Sequence, residues 1–186
     1  MLLIFHFMKS FYFSELRQAY ARSKTLAEKE VLRYNDEKKL EVVSLVCGLV
    51  GGYKFQSLIG ESMRVLVSHV TKAKMRYQRF LVGVIGKLPV LHVEDVIDAH
   101  IFCVENPGFT GRFLCASDLL KSEEIATLIQ SCCSESKIPD EFIEDSNRDI
   151  RWGSSKLEEL GFHYKYDAVM TLNDSPQYFR VPLESS

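Results

Sequence analysis

The sequence contains no apolar run near the ~18 residues that a membrane-spanning helix needs, no internal repeat and no low-complexity stretch. A membrane span and a repeat architecture are therefore not expected. Charge of one sign is also missing, since 23 Lys and Arg stand against 25 Asp and Glu for a net charge of -2. That balance argues against nucleic acid or an acidic membrane as partner. The basic residues gather once, at Lys72, Lys74, Arg76 and Arg79, and read as a solvated face. The five cysteines, Cys47, Cys103, Cys115, Cys132 and Cys133, are odd in number and spaced like neither a disulfide framework nor a zinc site. Reduced thiols and a cytoplasmic location follow as expectations. The apolar start, Met1 to Met8, lacks the basic region and the cleavage site of a signal peptide. It fits a chain that begins in the middle of a fold. Nucleophile elbow, Walker loop and zincin motifs are absent.

What is present is an alternation of helical and strand patterns. The spacing predicts a helix over Ser14 to Lys38, with Leu16, Tyr20, Ser23, Ala27, Val31 and Tyr34 on one stripe and Lys24 at its edge. Leu40 to Val46 is β-branched and almost continuously apolar, as a parallel strand covered on both faces should be. Cys47-Gly-Leu-Val-Gly-Gly52 reads as the loop at that strand's C-terminal end, the end where open α/β sheets bind ligands. A helix and a poorly patterned stretch over Tyr53 to Lys87 come next. They lead to a strand at Leu88 to Val93, a helix at Glu94 to Val104 and a strand at Arg112 to Ala116. Ser122 can cap a helix carrying Ile125, Leu128 and Ile129. Ser154 or Ser155 can cap another at Lys156 to Leu160, with Gly161 suited to its C-terminal side. The class is α/β.

The chemistry concentrates on Tyr20 and Lys24. Four residues apart on a helix, they stand on one face, one turn from each other. A phenol titrates near pH 10; an ammonium ~4 Å away stabilises its phenolate by about 4 kcal/mol at an effective dielectric near 20. That could lower the phenol by up to roughly 3 pKa units. Such a tyrosine can protonate a carbonyl oxygen as hydride reaches the carbon, and the lysine can hold a ribose. Spacing alone does not decide the matter, because Tyr34-Asn-Asp-Glu-Lys38 repeats it in a setting that reads as surface. From spacing and context, a functional and a structural reading of Tyr20 and Lys24 stand level. His92, Glu94 and Asp95 could be drawn as a metal cluster, but acids at a helix start behind a hydrogen-bonded histidine are the simpler reading. His100 reads as a satisfied core residue and Cys132-Cys133 as incidental.

Tyr20-Ala-Arg-Ser-Lys-Thr-Leu-Ala-Glu-Lys29 resembles the tyrosine helix of the extended short-chain dehydrogenase/reductases. Val90-Leu-His-Val-Glu-Asp-Val96 with Ala99-His-Ile-Phe102, Gly111-Arg-Phe-Leu-Cys115 and Ser155-Lys-Leu-Glu-Glu-Leu-Gly-Phe162 extend the likeness. They point to the dihydroflavonol 4-reductase, anthocyanidin reductase and cinnamoyl-CoA reductase group, over Ala19 to Phe179. The resemblance implies NADPH-dependent reduction of a carbonyl on a flavonoid or phenylpropanoid-like, phenolic small molecule. It makes Tyr20 the proton donor and Lys24 its partner at the nicotinamide ribose. Tyr20, Lys24, Cys47, Leu49 and Ser62 are then the NADP(H)-contacting residues, with Cys47 standing where the group has a proline and Ser62 near the adenosine phosphate. No metal is implied. The group's Gly-x-x-Gly-x-x-Gly phosphate loop and its serine upstream of the tyrosine do not occur in this sequence, and residues 1 to about 18 do not resemble it. The resemblance therefore implies an incomplete Rossmann-type doubly wound parallel sheet, its N-terminal cofactor half missing: 1–52 a remnant of the dinucleotide-binding domain with the catalytic helix, and 53–186 mostly a small substrate lobe with elements returning to the sheet edge. Two further expectations follow: weak NADPH binding by this chain alone, and self-association through an exposed edge along Leu40 to Val46. The rival readings are a non-catalytic fragment that works by pairing with another chain, and a nucleotide-sugar epimerase, which shares the tyrosine–lysine pair.

Overall fold

The computed structural model describes residues 2–7, 15–53, 60–68, 78, 82, 86–132 and 155–175. The chain opens with strand β1 (Leu2–Phe7), helix α1 (Glu15–Asp36) and strand β2 (Val42–Cys47), a right-sized β–α–β unit. β1 pairs with β2 in parallel from Leu2↔Val42 to Phe7↔Cys47. On its other side β2 pairs in parallel with β5 (Gly111–Cys115), from Val43↔Gly111 to Cys47↔Cys115. The sheet order is β1-β2-β5. All six β2 residues are buried, the pattern of a central parallel strand.

The expectation that Leu40 to Val46 presents an open edge is corrected by this pairing. The apolar N-terminus supplies the missing neighbour and satisfies the β2 backbone along its whole length. The strand also starts later than its apolar pattern, because Leu40 is 46% exposed. Its N–H donates back to Tyr34 O in the turn that ends α1.

A second small sheet stands beside the first. β3 (Leu49–Gly51) pairs in parallel with β4 (Leu88–His92), and β4 pairs antiparallel with β6 (Asp118–Leu120). The Cys47–Gly52 segment is therefore a strand end followed by another short strand, not the loop its glycines suggested. β6 was not expected: it is short, partly exposed, and formed by tertiary pairing. Among the described residues, helices α2 (Glu61–Leu66), α3 (Val93–Glu105), α4 (Ser122–Cys132) and α6 (Ala168–Asn173) cover the sheets, with the single turn α5 (Lys156–Glu159) closing the first core.

β4 divides the apolar residues between two cores by strand alternation. Leu91 faces Val43, Leu45 and Phe113 with Val96, Ala99, Leu157 and Phe162. Leu88 and Val90 face the other way, onto Leu49, Met63, Leu66, Ile125, Ile129 and Leu172. The parallel α/β class is thus present, with the antiparallel β6 strand at the edge of the second sheet. Ser155 does not cap α5 as anticipated: its backbone is helical and its hydroxyl donates to Glu159 Oε1 at 2.7 Å. Gly161 takes the positive φ of +99° expected at the helix end. The Lys72–Arg79 cluster, Ser154 and Cys133 lie outside the described residues.

Candidate active site

Helix α1 lies against the sheet with its burial turned from the simple helical wheel. Ser23 and Ala27 are exposed, whereas Lys24, Val31, Leu32 and Asn35 are half-buried and Glu28 is buried. Lys24 therefore falls within the sheet-facing stripe. The reason is two polar anchors stronger than the alanine and serine they displace. Asn35 Nδ2 donates to Val42 O at 2.9 Å and its Oδ1 accepts from Val42 N at 2.5 Å. Ser44 Oγ donates to Glu28 Oε1 at 2.6 Å, and Arg112 Nε lies 3.2 Å from the same oxygen.

These anchors fix the helix register. Moving back along α1 from Asn35 to Glu28 moves forward along β2 from Val42 to Ser44, so helix and strand are antiparallel. At about 1.5 Å per helical residue and about 3.3 Å per strand residue, the eight residues from Glu28 to Tyr20 climb roughly 12 Å, or about three to four strand residues. Tyr20 thus comes level with Cys47 and Gly48, and Lys24 with Val46. The three strands of the first sheet end there, at Phe7, Cys47 and Cys115. That C-terminal edge is the ligand edge of an open α/β sheet. Of Tyr20 itself only the helical backbone is described.

The other expected site residues sit differently. Cys47 is fully buried in the first core. Its thiol, hydrogen-bonded to Cys115 and desolvated, is held well above the usual thiol range, which makes it an inert packing group. Leu49 is 2% exposed and packs in the second core. Ser62, in the first turn of α2, is buried with its hydroxyl lacking a hydrogen-bond partner. The side chains of Cys47 and Leu49 thus point into two different cores.

The glycines between them serve protein packing. A Cβ on Gly48 would come 2.7 Å from Pro89 O of β4, and one on Gly52 would strike the His92 ring. His92 Nδ1 accepts from Glu94 N at 3.1 Å, making it the N-cap of α3. Its ring stacks on Tyr166 at 3.9 Å and meets Tyr53 edge-on at 5.5 Å. Nε2 lacks a hydrogen bond and lies 3.4 Å from an Asp174 oxygen. Burial pushes the imidazole below its ordinary range, with Asp174 acting in the opposite sense. Asp95 does more than favour the helix start. Its two oxygens accept from Lys165 N at 2.9 Å and Tyr166 N at 3.1 Å, and burial raises its pKa. His100 is half-buried, its Nδ1 2.6 Å from Val96 O. The described residues contain no group of three or more potential metal ligands.

These features suit a dinucleotide only in part. Lys24, half-buried at the sheet's C-terminal edge, fits a nicotinamide ribose. Gly48, Gly51 and Gly52 do not form a cradle for the pyrophosphate, because they are packed against β4, α6 and His92. Glu28, Ser44 and Arg112 were missed in the sequence. The available signal was the acid at i+8 from Tyr20 and i+4 from Lys24.

Comparison with known proteins shows the family and the fold. The family model described as "NAD dependent epimerase/dehydratase family" matches residues 9–116. The chain is 30% identical to dihydroflavonol 4-reductase of Zea mays over 158 residues, 84% of this chain and 43% of the relative. It is 27% identical to the (2S)-flavan-3-ol-forming anthocyanidin reductase of Vitis vinifera over 165 residues, 87% of this chain and 49% of the relative. Among solved structures, vestitone reductase from alfalfa superposes with a TM-score of 0.71 at 26% identity, covering 94% of this chain and 57% of that one. The chain spans about half the length of the relatives it matches. It belongs to the NAD-dependent epimerase/dehydratase family, with its resemblance lying toward the dihydroflavonol 4-reductase and anthocyanidin reductase members.

Proposed function

We propose that this chain carries the proton-donor half of an NADPH-dependent carbonyl reductase whose substrate is a flavonoid or phenylpropanoid-like phenolic. The observation that supports it most is positional. Tyr20 and Lys24 occupy successive turns of a helix whose polar anchors set them level with the C-terminal edge of the parallel strands. In this reading Lys24 binds the nicotinamide ribose and favours the Tyr20 phenolate, and Tyr20 hands its proton to the substrate oxygen. The cofactor, when bound, supplies the hydride. The phosphate cradle has to come from residues outside this chain's sequence, since no Gly-x-x-Gly-x-x-Gly loop is present. Site and reaction accord with a cytoplasmic enzyme. No helix among the described residues is long and apolar enough to cross a membrane. The chain self-associates, in this reading, through the outer edge of β1. Among the described residues the outer edge of β1 has no strand partner.

The test joins the chain to the N-terminal half of a related reductase and assays NADPH oxidation with dihydroflavonol, anthocyanidin and cinnamoyl thioester substrates. Turnover of one of them is expected. Interconversion of UDP-sugars with no carbonyl reduction would replace this reading by the epimerase one. Calorimetric titration of the 186-residue chain alone with NADPH should give binding weaker than low micromolar. Tighter binding would place the phosphates on residues other than the glycines considered above.

A further inference from the structure

Glu28 is a buried charge that the tyrosine–lysine chemistry leaves unused. It is 6% exposed in the middle of α1, where carboxylates are seldom found without partners. Ser44 Oγ reaches it from β2 at 2.6 Å and Arg112 Nε from β5 at 3.2 Å, both on Oε1. It follows Lys24 by four residues and Tyr20 by eight, so the three stand at successive turns of one face. Holding the helix on the sheet does not need a charge. A neutral amide could accept from Ser44, and burying a carboxylate costs desolvation that only good partners offset.

We propose that Glu28 is a positioning residue for the tyrosine–lysine pair: clamped by Ser44 and Arg112, its carboxylate fixes the charge next to Lys24 and thereby sets where Tyr20 titrates. This rests on the reading that Tyr20 and Lys24 act together. Arg112 of β5 is the charged group seen against Glu28, and Lys24 precedes Glu28 by one turn on its own helix. β2 contributes only the Ser44 hydroxyl. The carboxylate opposes the phenolate and the guanidinium favours it. A unit charge roughly 12 Å away along the helix moves a phenol by about one pKa unit at an effective dielectric near 20.

The Tyr20 phenol can be titrated in the full chain without cofactor, from tyrosinate absorbance taken as the difference against Tyr20→Phe in each background. Glu28→Gln keeps an acceptor for Ser44 and should lower the titration by about one unit. Arg112→Gln should raise it by less, because the Arg112 side chain is 61% exposed and screened. The double variant should fall between the wild type and Glu28→Gln. A purely structural Glu28 would instead give both single variants lower stability and no opposed shifts. Lys24→Met serves as the control for the pair and should raise the titration. If it does so while neither Glu28→Gln nor Arg112→Gln moves Tyr20, the Glu28 proposal alone is overturned. If Lys24→Met moves nothing, the tyrosine–lysine pairing falls, and this proposal with it. Should Glu28→Gln not fold, the sign of the shift in the exposed Arg112→Gln variant still decides.

Discussion

The Tyr-x-x-x-Lys spacing occurs twice along α1, and the two copies meet different surroundings. Tyr20 and Lys24 lie well inside the helix, with Lys24 half-buried on the face that Glu28 ties to the sheet. Tyr34 lies close to the end of the helix, its ring beneath the Arg33 guanidinium at 5.5 Å. Lys38 lies beyond the helix end, exposed, with a left-handed φ of 54°. Its N–H donates to Asn35 O, and Lys39 N donates to Tyr34 O. The second pair is thus part of a helix terminus that docks on β2 through Asn35. An i, i+4 spacing brings two side chains together only while both residues are helical. The backbone turn after Asp36 removes that condition for Tyr34 and Lys38.

Breaking one copy and then the other gives the largest contrast. In the joined reductase, Tyr20→Phe should cut kcat by roughly a hundredfold or more, the range of a lost general acid. Tyr34→Phe should leave kcat near the wild type. Equal losses in steady-state assays would remove the distinction between the copies. Stability gives a second contrast, since the first copy rests on the β2 core. Leu45 is fully buried there, and Leu45→Ala should cost ~2–5 kcal/mol in denaturant unfolding. A loss below about 1 kcal/mol would mean that the sheet under α1 is loosely packed.

The His92 region, remote from both copies in sequence, sharpens the comparison through pH. Burial holds the His92 imidazole below its ordinary value, so the unfolded chain binds the proton more readily. Stability from this group is complete above about pH 6.5 and declines as pH falls from there toward the lowered folded value. The slope cannot exceed about 1.4 kcal/mol per pH unit. Thermal melts across that window should show the decline in the wild type and flatten in His92→Gln. A melt curve of unchanged slope in that variant would assign the decline to other groups. The smallest effect belongs to the second copy. Lys38→Gly relieves a left-handed side chain and should stabilise by about 1 kcal/mol, with no change in the Tyr20 titration. Destabilisation by that substitution would show that the Lys38 side chain contributes to the turn.

Local patterns gave most of the elements because their signals are local. β2 announced itself as continuous apolar sequence, α3 by its acids and the histidine before them, and α5 by the glycine after it. The α1 wheel was misjudged because apolarity was counted and polar anchoring was not. Asn35 and Glu28, both polar, turn the helix, and neither has a detectable strand partner until the fold exists. Cys47 and Leu49 are set beside the cofactor only by the family resemblance, Cys47 standing where the group has a proline. Their side chains lie in two different cores, an arrangement that depends on β3 pairing with β4 and so on residues far along the chain.

The sequence by itself determined the α/β class, the positions of the main strands and helices, and the tyrosine–lysine pair with its family likeness. Each of these is written in spacing over a few residues. Tertiary structure alone decided that the N-terminal apolar segment closes the β2 edge, and that Gly48 to Gly52 pack against β4, α6 and His92. It also decided that Glu28 is buried between Ser44 and Arg112. These are pairings between residues distant in sequence. Their energies come from backbone hydrogen bonds and desolvated charges that exist only once the strands lie side by side.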